Sequence, residues 1–208
     1  KYQTSMTGTL YIVSAPSGAG KTSLVRQLIG QVSDLVLSVS HTTRENRNGE
    51  SDGIDYHFIS TGAFVEMINN AEFLEHAQVF GHYYGTSEAW VKNQLKTGLD
   101  VILEIDWQGV TQVRRLMPEA CSIFILPPSR AILEERLRNR GRDSDEVIAQ
   151  RLAEAKEEMS HYSEANYLII NDDFDAALAQ LKSVLMANRT KIGPQAESHS
   201  KIISELLS

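Results

Sequence analysis

Short apolar runs alternate along the chain with stretches whose apolar residues recur every three or four positions. Leu10-Tyr11-Ile12-Val13 is the first run, and Leu24, Val25 and Leu28 follow it at helical spacing. Residues 35–40, alternating around Val36 and Val39, predict a second strand. The nearly continuous run at 101–106 predicts a strand buried on both faces, and Val110, Val113 and Met117 mark the helix after it, ending at Pro118. Residues 122–126 predict the next strand, closed by Pro127-Pro128. Ser129 is placed to cap a helix bearing Ile132, Leu133 and Leu137, which should break at Gly141. Asp143 with Glu146 has the spacing of a capping box for a helix from Ser144 to about His161. Residues 167–170 predict a last strand, and Phe174, Ala177, Leu178, Leu181 and Leu185 mark a last long helix. Strands alternating with helices predict an α/β fold, a parallel sheet flanked by helices. Ligands of such sheets bind at the C-terminal ends of strands. Residues 15–22, Asp106, Pro127 and Asn171 all fall at such ends.

The rhythm is interrupted between residues 39 and 90. Thr61 is placed to cap a helix with Phe64, Met67, Ile68 and Ala71 on one face. Around it, residues 56–59 and 73–84 are rich in aromatic and β-branched types and predict strands. Ser87 then caps a short helix with Val91 and Leu95 inward, ended at Gly98. The expected organisation is core over 1–38, a small mixed α/β insert over 39–90, core over 91–135, a helical lid over 136–152, and core with a C-terminal helix over 153–208. The tail after Gly193-Pro194 predicts one more amphipathic helix through Ile202 and Leu206.

Composition narrows the classes. The 208 residues, 42% hydrophobic and 23% charged, suit one globular domain with small insertions. A formal net charge of -7 argues against nucleic acid or anionic membrane as partners, which need a dominant basic surface. No apolar run approaches a membrane span and the start shows no signal-peptide pattern, so a soluble, cytoplasmic protein is expected. KYQTS is expected to be appended sequence, with Met6 as the native start. The single cysteine, Cys121, has no internal partner and reads as a buried structural thiol. The pattern leaves room for a homo-oligomer.

Between the first strand and helix stands APSGAGKT, residues 15–22. Strand, glycine-rich turn and helix in this order read as a phosphate-binding loop, with Gly18 and Gly20 letting backbone N–H groups point inward. Ala15, Pro16, Ser17, Gly18, Ala19, Gly20, Lys21, Thr22 and Ser23 are therefore candidate ATP contacts. Lys21 would reach the β- and γ-phosphates, and the Thr22 hydroxyl would be a ligand of magnesium. Ala15 stands where the general motif has its first glycine; the defect is minor, because the inward amides come from residues 17–22. The insert offers Arg44 and Arg47, three apart beside Ser40, His41, Thr42 and Thr43, a pair suited to gripping a phosphate monoester. Tyr56 and Tyr84 could donate to the same group. Taken singly, each of these reads more readily as a solvated arginine or a half-buried tyrosine. A second group comprises Arg136, Arg138, Arg140 and Arg142, with Arg151 beyond. Its plainer reading is a solvated helix face with Glu134 pairing Arg138. Beside a phosphate loop, arginines on a closing flap are what phosphoryl transfer needs, contributing roughly 10³ to 10⁵ in rate.

SGAGKT, SVSHTTRENRNGE, FLEHAQVFGHYYGTS, EIDWQG, FILPPS, RLRNRGRD and NDDFD, in this order, resemble guanylate kinase, especially the bacterial enzymes. The resemblance covers Thr9 to about Arg189 and implies a P-loop kinase core, a GMP-binding insert, a lid, and transfer from ATP to GMP with magnesium. It implies that Arg44, Arg47, Tyr56 and Tyr84 hold the GMP phosphate, while Ser40, Glu75, Thr86 and Asp106 face the guanine. It also implies that Arg136, Arg140 and Arg151 are lid arginines, joining Lys21 and Arg47 in catalysis, and that Asn171 and Asp172 touch the ATP base and ribose side. Glu104 stands where the family usually has aspartate near the magnesium shell, with Asp106 two residues on; catalysis should survive a shifted metal-bound water. His41 lies beside the expected GMP phosphate, which is already ionised and needs no base, so it reads as structural. The competing readings are an inactive guanylate-kinase-like phosphopeptide-binding module and a phosphate-loop kinase for another acceptor such as AMP. The complete set Lys21, Thr22, Arg44, Arg47 and Glu75 disfavours the first, and Glu75 with Ser40 the second. A GTPase switch is disfavoured by the lack of an Asn-Lys-x-Asp motif.

Overall fold

The computed structural model describes residues 8–79, 81–139 and 144–208. Five strands form a wholly parallel sheet: β1 (Leu10–Ser14), β2 (Leu35–Leu37), β7 (Asp100–Glu104), β8 (Cys121–Leu126) and β9 (Tyr167–Ile170), in spatial order β2-β7-β1-β8-β9. The central strand β1 is buried throughout, and its alternation divides the core in two. Tyr11 and Val13 pack with Leu24, Val25 and Leu28 of α1 (Lys21–Ile29) and Leu178, Leu181 and Leu185 of α7 (Phe174–Arg189). Leu10 and Ile12 pack on the other face with Val91 and Leu95 of α3 (Glu88–Lys96) and Val110 and Val113 of α4 (Trp107–Leu116). Each buried aliphatic side chain among these contributes about 1.5–3 kcal/mol, so together they hold helices against both faces of the sheet.

A second sheet lies within the interruption seen in the sequence. Its order is β4-β3-β6-β5, from β3 (His41–Thr42), β4 (His57–Phe58), β5 (Phe73–Val79) and β6 (His82–Ser87), with β5 and β6 antiparallel and β3 parallel to β4. Phe64 of α2 (Thr61–Asn69) stacks on Phe73 and Tyr83 and anchors the helix to this sheet. Two further helices, α5 (Arg130–Arg138) and α6 (Asp145–Ser160), pack through Leu133, Leu137 and Ala155, and a 3-10 turn over His161–Glu164 leads into β9.

Several expected boundaries shift, each for a local reason. The strand expected over 35–40 ends at Leu37, because the chain then leaves the parallel sheet to begin the second one at His41. The stretch 73–84 is a hairpin with Gly81 at φ 79°, two strands where one was expected. Ser60, not Thr61, caps α2, its Oγ accepting from the Ala63 N–H; only Phe64 of the expected face is buried, and Ala71 lies beyond the helix at φ 53°. Ser144 caps α6, its Oγ accepting from the Val147 N–H. Asp143, Gly141, Arg140, Arg142 and Met6 lie outside the described residues. The expected lid limits at 136 and 152 fall inside α5 and α6. The tail forms two helices, α8 (Ile192–Ser198) and α9 (Ser200–Leu207), where one was expected. No described helix is long and apolar enough to cross a membrane.

Candidate active site

The loop between β1 and α1 curls because two glycines take backbone angles that other residues avoid: φ is 93° at Gly18 and 94° at Gly20. Space is equally tight. A β-carbon on Gly20 would stand 2.4 Å from Asn171 Nδ2, and one on Gly18 would stand 2.9 Å from Leu133 Cδ1. The buried Asn171, directly after β9, donates to the Ala19 carbonyl at 2.7 Å and so holds the loop from the far side of the sheet. Gly20 offers no side-chain cap to α1, which leaves the first N–H groups of that helix open to an anion.

At the foot of the loop, Thr22 Oγ1 donates to Glu104 Oε2 at 2.9 Å. The other oxygen, Glu104 Oε1, is buried with no partner. A hydroxyl and an unpaired carboxylate oxygen side by side are hard donors of the kind magnesium takes, so the residues fit that ion. Asp106 begins α4, and its Oδ1 accepts from the Gly109 N–H at 2.9 Å, a capping role that the sequence reading missed.

Lys21, Gly18, Arg44, Arg47, Tyr56 and Tyr84 line one cavity of about 420 Å³, which Arg151 and Glu158 of α6 complete. The expected donor and acceptor halves thus face each other. Arg44 lies over the Tyr56 and Phe58 rings, 5.3 and 5.7 Å from their centroids, and Tyr56 meets Tyr84 edge-on at 5.9 Å. Glu50, missed in the sequence, organises both arginines: Arg44 Nη2 donates to its Oε1 at 2.8 Å and the Arg47 N–H to its Oε2 at 2.7 Å. The Arg44 guanidinium holds the Glu50 carboxyl below the usual carboxylate range. Glu158 was missed too. Burial raises its pKa, opposed by the Lys21 charge and the Ser17 backbone. In sequence it is one acid among several on a polar helix; only the tertiary contact singles it out.

Glu75 is buried in β5 and accepts from the Thr86 hydroxyl at 2.6 Å. Burial, with Asp106 nearby, pushes its carboxyl up to about 7 despite the Thr86 hydrogen bond. Gly109 makes room, since a β-carbon there would lie 2.7 Å from Glu75 Oε2. Ser40, Tyr56, Lys21, Thr22 and Glu104 share a second cavity of about 760 Å³ between the two sheets. Arg136 donates to the Asn171 carbonyl at 3.1 Å, and its Nη1 is buried without a partner. Asp172 is exposed beside Asn171, and Arg140 lies outside the described residues. Arg138 pairs with Glu134 at 2.9 Å, as its spacing predicted, and with Asp145. His41 packs against His57 and Phe73, and burial lowers its pKa, in keeping with a structural ring.

The family model described as guanylate kinase matches residues 7–188. Guanylate kinase of Saccharophagus degradans is 58% identical over 202 residues, covering 97% of this chain and 98% of the relative. Guanylate kinase of Vibrio cholerae is also 58% identical, and that of Escherichia coli strain K12 is 56% identical, each with 96% of this chain and 98% of the relative covered. Among solved structures, guanylate kinase from Anaplasma phagocytophilum superposes with a TM-score of 0.75 at 32% identity, covering 89% of this chain and 88% of that one.

Proposed function

The chain belongs to the guanylate kinase family, and from that premise we propose how its residues divide the work of an ATP:GMP phosphotransferase. The single observation that supports the division is the 420 Å³ cavity, in which the phosphate loop faces Arg44, Arg47, Tyr56 and Tyr84. In the reaction a GMP phosphate oxygen forms a bond to the γ-phosphorus of ATP while the bond to the β,γ-bridging oxygen breaks, giving GDP and ADP. The loop 15–23 cradles the ATP phosphates, Lys21 spans β and γ, and Asn171 with Asp172 borders the base and ribose. Arg44, Arg47, Tyr56 and Tyr84 grip the GMP phosphate, with Glu50 fixing both arginines. Lys21, Arg47, Arg136, Arg140 and Arg151 offset the charge spread over the transferred group. The acceptor is already ionised, so positioning and electrostatics suffice without a general base.

Guanine presents N1–H and an exocyclic amine on one edge. Glu75, ionised and steadied by Thr86, accepts both, while Ser40 donates to O6 and Asp106 borders the pocket. Adenine lacks that donor pair, and a buried site of this kind rejects the wrong partner by roughly 10⁴ to 10⁵. None of these contacts needs the ribose 2′-hydroxyl, so dGMP serves as well. Bound magnesium would supply neutralisation of the β- and γ-phosphate charge, held by Thr22 with Glu104 and Asp106 nearby. Residues 39–90 act as the GMP-binding insert and 136–152 as the lid. A cytoplasmic setting suits these soluble substrates. The test is ADP formation from ATP and magnesium with GMP, AMP, CMP or UMP as acceptor. Strong preference for GMP is expected; folded protein with no GMP turnover would refute the reading.

A further inference from the structure

One ion pair crosses the larger cleft at its mouth: Arg26 Nη2 of α1 lies 3.1 Å from Asp55 Oδ1 of the insert. Arg26 is one helical turn beyond Thr22, and Asp55 directly precedes Tyr56. The turn carrying Asp55 is closed on itself. The Ser51 N–H donates to Asp55 Oδ2 at 2.9 Å, the Asp55 N–H to the Ser51 carbonyl at 3.0 Å, and the Gly53 N–H to the Tyr56 carbonyl at 2.8 Å. Such a turn moves as a unit, so a force on Asp55 reaches Tyr56. At its tip Ile54 is 71% exposed, and it lines the same 760 Å³ cleft as Ile29 and Leu37 of the core. Approach of the two walls would take this apolar surface out of water, which favours closure.

We propose that Arg26 and Asp55 are positioning residues for the acceptor: their ion pair steers the 51–56 turn onto α1, closing Ile54 over Ile29 and Leu37 and setting Tyr56 for the phosphate. This rests on GMP being the acceptor. Neither residue belongs to the phosphate loop or the acceptor arginines, so the pair acts on how the insert is held and not on charge at the reacting atoms. Arg26 is 68% exposed, and pairs of that kind change an equilibrium by only about two- to fivefold. That range sets the size of the effect to look for.

The experiment is a mutant cycle read in steady-state kinetics. Arg26→Gln and Asp55→Asn, the latter keeping an acceptor for the Ser51 N–H, should each raise KM for GMP about two- to fivefold and leave kcat and KM for ATP unchanged. The double variant should be no worse than either single one, Arg26→Lys should stay close to the parent, and the differences should fade at about 1 M salt. Unchanged KM for GMP in the single variants, or a double variant whose effect is the product of the two, would overturn the proposal. A parent enzyme that turns over GMP while the cycle shows no coupling sinks the pairing alone; absence of GMP turnover in the parent sinks both readings.

Discussion

Glu75 ties recognition to protonation. Its carboxyl, pushed up to about 7 mainly by burial, is half neutral at that pH in the ligand-free protein. In the proposed guanine site only the ionised form accepts two N–H groups. GMP affinity should therefore fall about fivefold between pH 7 and pH 6, because protons compete with the nucleotide. Calorimetric titration from pH 8 to 6 would show this, and Glu75→Gln should flatten the dependence while weakening GMP selectively. The sign for stability is the reverse of the usual carboxylate case: with the folded pKa raised, this group favours the fold at low pH and the benefit is lost as pH rises through about 7. Lys21→Met should lower kcat by at least about 10²-fold with an unchanged circular dichroism spectrum, since it removes charge stabilisation and no packing. Lys21 and Thr22 were legible in the sequence because their meaning lies in local spacing. Glu50 was not, because its role depends on a loop returning to Arg44, and Glu75 was legible only through the family resemblance.

Among the elements, α4 shows a residue with two demands on it. Asp106 caps the helix through the Gly109 N–H and also raises the Glu75 carboxyl. The two roles separate by substitution. Asp106→Ala should lose about 1 kcal/mol in urea denaturation, the usual value of an N-cap, whereas Asp106→Asn keeps the cap. The asparagine variant should instead move the pH dependence of GMP binding to lower pH, because the charge beside Glu75 is gone. The strands of the parallel sheet were readable as apolar runs, since burial on both faces leaves little else possible. Caps were harder. Ser60-Thr61 places two capping side chains in tandem, and the choice between them is set by backbone angles that no pattern of residues displays. The hairpin at 73–84 looks like one stretch in the sequence because its turn, at Gly81, lies among strand-forming residues on both sides.

For the molecule as a whole, the proposed magnesium corner at Thr22 and Glu104 and the proposed acceptor arginines Arg44 and Arg47 come from different parts of the fold and face each other across the cleft. Chelating divalent cations should therefore stop phosphoryl transfer while leaving the dissociation constant for GMP unchanged, measured by calorimetry with and without EDTA. GMP present at about 100 times that constant should stabilise the folded protein by roughly 2.7 kcal/mol, visible as a raised melting temperature. The parallel sheet also contains a natural clock. Cys121, the one thiol in the chain, starts β8 with 6% of its surface exposed; burial raises its pKa, opposed by the Asn188 amide donating to its sulfur at 3.5 Å. Labelling by a thiol reagent should therefore require an opening of the packing between β8 and α7. The rate of labelling thus counts openings of the core directly, without an added probe, and should slow in step with every ligand that holds the nucleotide cleft together.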